Sequence, residues 1–494
     1  MTRRLGVTLV SALISLMAGA ASASDDAVVR AMRLYEQHHY EDAARTLQAD
    51  LPALNPSSRA TAYLTLGMIY LGNAELHRGL HEAGITVQLD YLKRLVAVRG
   101  AGGSHFVNLY LAKTLLENGN AGEATKYLER FSAQRGLEPR YKAIAGASLG
   151  LSHFLGKNAQ AARAQWATVD TADPEVQMAL AAVYSQAGLK DRDPVGMGDA
   201  ALKKVGSSPS SRMLENLLTV YARAGLTDKS LELVKRADLK AASYTEALGE
   251  TKTISFYDVA ALGDLAAMYR QASVRYLEKA AADAQIKPTA DYYLGAAYAE
   301  AGDVELSLRA TGAFLSVANA PLPQRNRARV RYATAQYLQG RRGEAMAVWE
   351  ALAQGQPAEP ELLAEILLGC ARARAGCTSI EPWATRVAEA GEGRKIRSLN
   401  IALGRLYLLR GDYGRAVTYL EAGRDKSNKN RIESNDPVML VKLAAAYYRG
   451  RQFSESLEIY FEMSKHFPVV RRIQEALQGM YAMEHKSAGD VKIF

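Results

Sequence analysis

The fold class predicted by this 494-residue sequence is an all-helical array of repeated helical hairpins. Three observations predict it. Small and large residues recur in one order along most of the chain. A glycine interrupts the middle of most recurrences. No stretch alternates apolar and polar residues over the length of a half-buried strand. The pattern is clearest from Ile401 to Tyr419. Leu403, Tyr407 and Leu408 share one face of a first helix, and Ala416, Val417 and Leu420 share one face of a second. Gly411-Asp412 separates the two, because glycine tolerates the positive φ that ends a helix. Gly404 and Ala416 allow two antiparallel helices to approach closely, while Tyr407, Tyr413 and Leu420 fill the space around that contact.

The chain opens with a short basic region at Arg3 and Arg4, an apolar run from Leu5 to Met17, and Ala21-Ser22-Ala23. Residues 1–23 thus read as a secretory signal peptide, cut after Ala23. The run is shorter than the roughly 20 apolar residues of a membrane span. The mature chain is expected to be exported, periplasmic or otherwise, and soluble, with no transmembrane insertion.

Recurrences then follow in order. Ala31, Leu34, Tyr40, Ala43 and Leu47 make a first unit; Tyr63, Leu66, Gly67 and Tyr70 open a second, extended to Val98 and closed by Gly100 to Ser104. Further units centre on Leu111, Ala112 and Ala124; on Gly150, Ala162 and Trp166; on Leu180, Ala181 and Tyr184; and on Leu217, Tyr221 and Ser230. Between Leu239 and Lys287 the pattern loosens, although helical periodicity persists at Leu262, Leu265, Met268, Tyr276 and Leu277. That stretch is either a divergent unit with a long helix or a junction between blocks. Order resumes with Tyr292, Gly295, Ser307 and Phe314, then Tyr332, Ala333, Ala345 and Trp349, then Leu368, Gly369 and Trp383. The Leu403 unit is followed by a polar loop, Arg424 to Asp436, whose only core residue is Ile432. Leu443, Ala444, Tyr447, Phe453, Ser456 and Tyr460 close the series.

The order of an aromatic, Leu-Gly, Tyr, Gly-x-Tyr, Ala, a large apolar residue and a closing Pro resembles the tetratricopeptide repeat, which spans about 34 residues. The resemblance implies a right-handed solenoid superhelix of about ten or eleven units, in one array or two blocks. It divides the chain into a signal peptide (1–23), an N-terminal repeat block (24–238), the divergent repeat or junction (239–287), a C-terminal block (288–468), and a capping helix and tail (469–494). A cap is needed because each unit buries its face only against a neighbour.

Chemistry is sparse. His77 and His81 share a helix face near Glu75 and Glu82, but a zinc site needs three or four ligands, and the pair reads as an exposed polar face. His38-His39 reads as solvated. Some exported murein-cleaving transglycosylases join a helical superhelix to a lysozyme-like domain with a catalytic Glu-Ser pair. Glu455-Ser456 falls instead among the core positions Phe453, Leu457 and Tyr460. No phosphate loop, nucleophile elbow or cofactor fingerprint is present, so neither catalysis nor a cofactor or metal is expected. Two cysteines remain. Seven positions on a continuous helix separate Cys370 from Cys377 by about 10.5 Å, too far for a disulfide. A bridge requires the helix to end at Gly376 and fold back; two small apolar residues are the alternative.

Charge is uneven. The chain has 61 basic and 52 acidic residues, a net of +9. From Arg325 to Phe494 there are 27 basic and 19 acidic residues, or +8, whereas residues 24–324 carry 32 and 33, or −1. In the repeat family the first helix of each pair lines the concave groove. Carried over by register, groove positions here are Arg327, Tyr337, Arg374, Arg405, Tyr448 and Arg449. Arginine forks suit carboxylates and phosphates. The resemblance thus implies a non-catalytic cell-envelope scaffold or adaptor that holds a protein partner, acidic by this reading. The alternative is a periplasmic accessory of polysaccharide synthesis or export, contacting an acidic polymer, a synthase or an outer-membrane pore. Nucleic acid is not an expected partner of an exported chain.

Overall fold

The computed structural model describes residues 23–99, 105–189, 191–236, 239, 244–247, 253–256, 258–354, 359–375, 378–390, 396–425, 432 and 434–485. The signal-peptide reading concerns residues outside this set, apart from Ala23. The described chain is helical, with one small exception, and its helices pair into antiparallel hairpins.

The hairpins form where the sequence places close contacts. A Cβ on Gly404 would stand 2.5 Å from Leu420 Cγ, and one on Gly150 would stand 2.2 Å from Trp166 Nε1. Both pairs are 16 residues apart. Four residues earlier on the second helix, a small side chain meets the same spot. Two serines at this place donate to the carbonyl of the facing small residue, Ser307 to Gly295 at 2.9 Å and Ser456 to Ala444 at 2.8 Å, each over 12 residues. This is the structural role read for Ser456. Gly302 and Gly411 end first helices with φ of +75° and +79°. Asp303 and Asp412 then cap the second helices, accepting from the amides of Leu306 and Arg415 at 3.0 and 3.1 Å.

The chain divides into two compact units that do not follow the linear blocks. The first comprises Met1–Leu76 and Tyr269–Glu462, and the second His77–Met268 and Met463–Phe494. In the first, α1 (Ala23–Glu36) pairs with α2 (Tyr40–Asp50). Helix α3 (Pro56–Arg99) contributes its residues up to Leu76.

The partner of that segment is not the sequence that follows it. Gly67 faces Leu277, whose Cγ would lie 2.5 Å from an added Cβ, and Ser273 donates to the Gly67 carbonyl at 2.7 Å across 206 residues. Tyr70 stacks on Tyr269 and Tyr276, with centroids 6.0 and 5.6 Å away. Gln48 donates to the hydroxyls of Tyr70 and Tyr276 at 2.9 and 3.2 Å. Residues 269–280 thus supply the second helix of the hairpin that Pro56 begins, and residues 77–268 intervene in the sequence between its two helices.

The chain segments that supply the second unit begin with the rest of α3. Then come α4 (His105–Glu117) with α5 (Ala121–Ser132), α6 (Pro139–Leu155) with α7 (Ala159–Ala167), α8 (Pro174–Gln186) with α9 (Pro194–Val205), and α10 (Ser211–Arg223) with α11 (Thr227–Val234). A two-stranded antiparallel ribbon follows, β1 (Tyr244–Ala247) on β2 (Thr253–Phe256), with Tyr244 opposite Phe256. Its four-residue strands are too short to show alternation in the sequence. The start of α12 (Ala260–Ala280) and α23, the terminal helix introduced below, complete this unit.

The first unit continues with α13 (Lys287–Ala301) and α14 (Val304–Leu315), α15 (Leu322–Leu338) and α16 (Arg342–Ala353), α17 (Pro360–Ala373) and α18 (Glu381–Ala390). Then come α19 (Arg397–Arg410) with α20 (Tyr413–Ala422) and α21 (Pro437–Arg449) with α22 (Phe453–Ser464). Ile432, in the polar loop, is buried as expected. The last helix, α23 (Arg471–His485), packs within the second unit. Ile473 meets Gly84, and a Cβ on Gly479 would stand 2.3 Å from the Tyr91 ring.

Candidate binding groove

In the second unit the first helices of successive hairpins present one face each to a common groove. Its walls are Lys113 and Glu117 from α4, Ile144, Ser148 and Leu151 from α6, Ala179, Ala182, Val183 and Gln186 from α8, and Arg212, Glu215, Asn216 and Thr219 from α10. The spacings of three and four within each helix put these residues on one stripe. Asp258, Ala260 and Ala261 also line the cleft, whose cavity is about 60 Å³. A space of this size admits a few waters or a slender side chain.

Charge pairs surround the cleft. Lys113 Nζ lies 2.9 Å from Asp258 Oδ2. Burial pushes Asp258 up, but the Lys113 charge and hydrogen bond prevail and hold it below the usual carboxylate range. Arg212 donates to the Tyr110 hydroxyl at 2.8 Å and, with Arg140, pairs with Glu175 at 3.5 and 3.3 Å. Arg472 of α23 is fully buried. It pairs with Glu215 at 2.6 Å and donates to the carbonyls of Asp258 and Leu239 at 2.6 and 2.8 Å. Asp264, also buried, accepts from Thr219 at 2.5 Å and has Arg223 at 3.8 Å. Its pKa is raised, by burial first. Glu117 accepts from Gln186 Nε2 at 3.2 Å. Burial, followed by the charges of Asp264 and Asp258, pushes Glu117 up to about 7.

The residues anticipated as a groove lie in the first unit, with different surroundings. Arg327 is half-buried and 3.8 Å from Glu365. Tyr337 stacks on Trp349 at 5.6 Å, under the Arg342 guanidinium. Tyr448 is buried against Phe453, centroids 5.3 Å apart. Arg374 sits beyond the end of α17 in the left-handed region, φ +51°, and is exposed, as is Arg449; Arg405 is half-buried. Arg372, not anticipated, pairs with Glu300 at 2.7 Å and reaches Glu75 at 4.0 Å. Sequence reasoning missed the groove of the second unit altogether. Its signal was present as the stripe 212, 215, 216, 219 on an amphipathic helix.

The histidine readings are corrected in part. His77 is buried, and His81 Nδ1 lies 3.2 Å from the Val259 carbonyl. They are not an exposed polar face, because α3 is covered around most of its circumference here. His38 is buried too, with Nδ1 3.2 Å from the Tyr40 hydroxyl. Among the described residues no group of three or more His, Cys, Asp or Glu is arranged to hold a metal. Cys370 is disulfide-bonded; the only other cysteine, Cys377, lies outside the described residues.

No family model matches the chain, and no curated protein matches it. Similar solved structures include yeast Tom70, at 11% identity over 94% of this chain and 97% of its own, with a TM-score of 0.32. The Cut9–Hcn1 hetero-tetramer of the APC/C is similar at 13% identity over 94% and 99%, TM-score 0.27. PPR10 bound to an 18-nucleotide RNA element is similar at 15% identity over 90% and 73%, TM-score 0.26. Likeness at these scores adds nothing on function. The hairpin-repeat architecture rests on the contacts described above.

Proposed function

We propose that this chain is a non-catalytic scaffold, tetratricopeptide-like, that holds an extended segment of a protein partner against the first-helix faces of its hairpins. The observation that carries the reading is the groove of the second unit, where four successive first helices contribute apolar and charged side chains to one cleft. Clefts with apolar walls and a few placed polar groups are where ligands bind. Arg374, Arg405 and Arg449, with Arg327 and Tyr337, form a second contact face in this reading, for an acidic stretch of the partner; Tyr448, buried against Phe453, does not reach the partner. The scaffold works outside the cytoplasm, in the cell envelope. Arg3, Arg4, the run to Met17 and Ala21-Ser22-Ala23 support export, and a bonded Cys370 suits an oxidising compartment. No helix among the described residues is long and apolar enough to cross a membrane.

Photo-crosslinking in the native organism tests the proposal. A crosslinker at Asn216 or Gln186, on the groove, is expected to give adducts that map to one continuous segment of one protein. A crosslinker at Gln160 or Arg163, exposed on α7, is expected to give none. Equal capture from both sets would overturn the reading, and a glycan adduct would replace it with the polysaccharide alternative.

A further inference from the structure

The geometry points to a basic side chain, lysine or arginine, as the group of the partner segment that the second unit's groove receives, seated against Glu117. This rests on the groove reading above and adds the chemistry of its occupant. The other carboxylates around the groove already have cations. Asp258 has Lys113 at 2.9 Å, Glu215 has Arg472 at 2.6 Å, Glu175 has Arg140 and Arg212, and Asp264 has Arg223 at 3.8 Å. Glu117 has the neutral amide of Gln186 and, among the described residues, no cation within ion-pair distance. Leu116, Ile144, Leu151, Ala179 and Val183 line the same cleft, an apolar wall for the aliphatic stem of a long cationic side chain whose head remains polar.

The groups that face Glu117 set the sign. Lys113 lies on its own helix, Gln186 comes from α8, Arg223 from α10, and Asp258 and Asp264 from the entry into α12; His81 of α3 acts on Asp264. Arg212 and Glu215 of α10 line the same cleft but are already engaged, with Glu175 and with Arg472, which also acts on Asp258; Glu117 is thus the carboxylate there with no cation at ion-pair distance among the described residues when it ionises. An arriving ammonium or guanidinium supplies that cation and favours ionised Glu117. Binding should therefore release a proton near pH 7, where Glu117 titrates, and should weaken on acidification.

The test selects twelve-residue peptides, from a library lacking histidine, on the full chain at pH 8. Selected peptides are expected to share a Lys or Arg at one position. The tightest is expected to bind about tenfold more weakly at pH 6, where a group titrating near 7 is about nine-tenths protonated. Glu117→Gln, with helix content unchanged, is expected to show the weak affinity at both pH values, and norleucine in place of the peptide lysine should do the same. Selected peptides that lack a basic residue, or bind E117Q unchanged, would overturn the inference and leave the groove reading standing. Enrichment no greater than on an unrelated helical protein would overturn both.

Discussion

Leu403 is fully buried where α19 meets its neighbours, and Gly404 beside it touches Leu420. Leu403→Ala removes core volume that close packing cannot refill. The expected cost is about 2–5 kcal/mol, read by denaturant unfolding of the full chain. A change under about 0.5 kcal/mol, typical of surface sites, would contradict this placement. Glu117 makes a different residue-scale prediction. Its folded pKa, about 7, stands above the ordinary 4.5, so between these values the folded state keeps a proton that the unfolded state has lost. Stability from this group is therefore greatest below pH 4.5, falls as pH rises to 7, and is flat above. Glu117→Gln should remove that slope and leave the variant more stable than the parent at about pH 8, with no difference at about pH 4. At this scale the sequence was readable wherever spacing carried the contact: 12 and 16 residues for the hairpin pairs. It was silent where a partner comes from another helix. Nothing near Arg327 announces Glu365, and nothing near Tyr448 shows that its ring is buried rather than offered to a ligand.

A helix needs a partner, and the helix formed by residues 56–76 shows how far away that partner can be. Tyr63, Leu66, Gly67 and Tyr70 were legible as a first helix, and Tyr276 and Leu277 as helical periodicity. Their pairing was not, because repeat reading assumes that the second helix follows the first. The intervals were the clue: Ser273 and Leu277 are four apart, as are Ala416 and Leu420 opposite Gly404. Leu277 is fully buried. Leu277→Ala is expected to raise amide exchange in residues 62–76 together with 270–280, although about 200 positions separate them. Residues 397–422 should keep their protection, since hairpins couple chiefly to neighbours. Loss of protection confined to 270–280 would dissolve the split hairpin. The β-ribbon lay beyond reach for a simpler reason: two four-residue strands carry too few positions for periodicity to register.

Sorting the chain by unit changes what its charge means. The +8 of the last third does not belong to one body. Residues 24–76 and 269–462 hold 31 basic and 29 acidic side chains, and residues 77–268 and 463–494 hold 28 and 23. The excess is thus +2 and +5, too little for a field of one sign to select a partner. Local pairing decides, as at Glu117. For the same reason a fragment that begins at Arg325 would cut through both units and is not a fair test of either. The terminal helix separates the linear reading from the observed one. As the end cap of a linear array, α23 would protect α21 and α22. As observed, its Arg472 is buried in the second unit against Glu215, Leu239 and Asp258, and its Gly479 meets Tyr91. Arg472→Ala breaks the buried ion pair with Glu215, a loss expected to cost about 3–5 kcal/mol. Removing residues 471–494 takes away the apolar contacts as well. Amide exchange and limited proteolysis should then find residues 77–99 and 211–223 opened, with residues 287–353 as protected as before. Opening confined to residues 437–464 would restore α23 to the end of a linear array and overturn the assignment of this helix to the second unit.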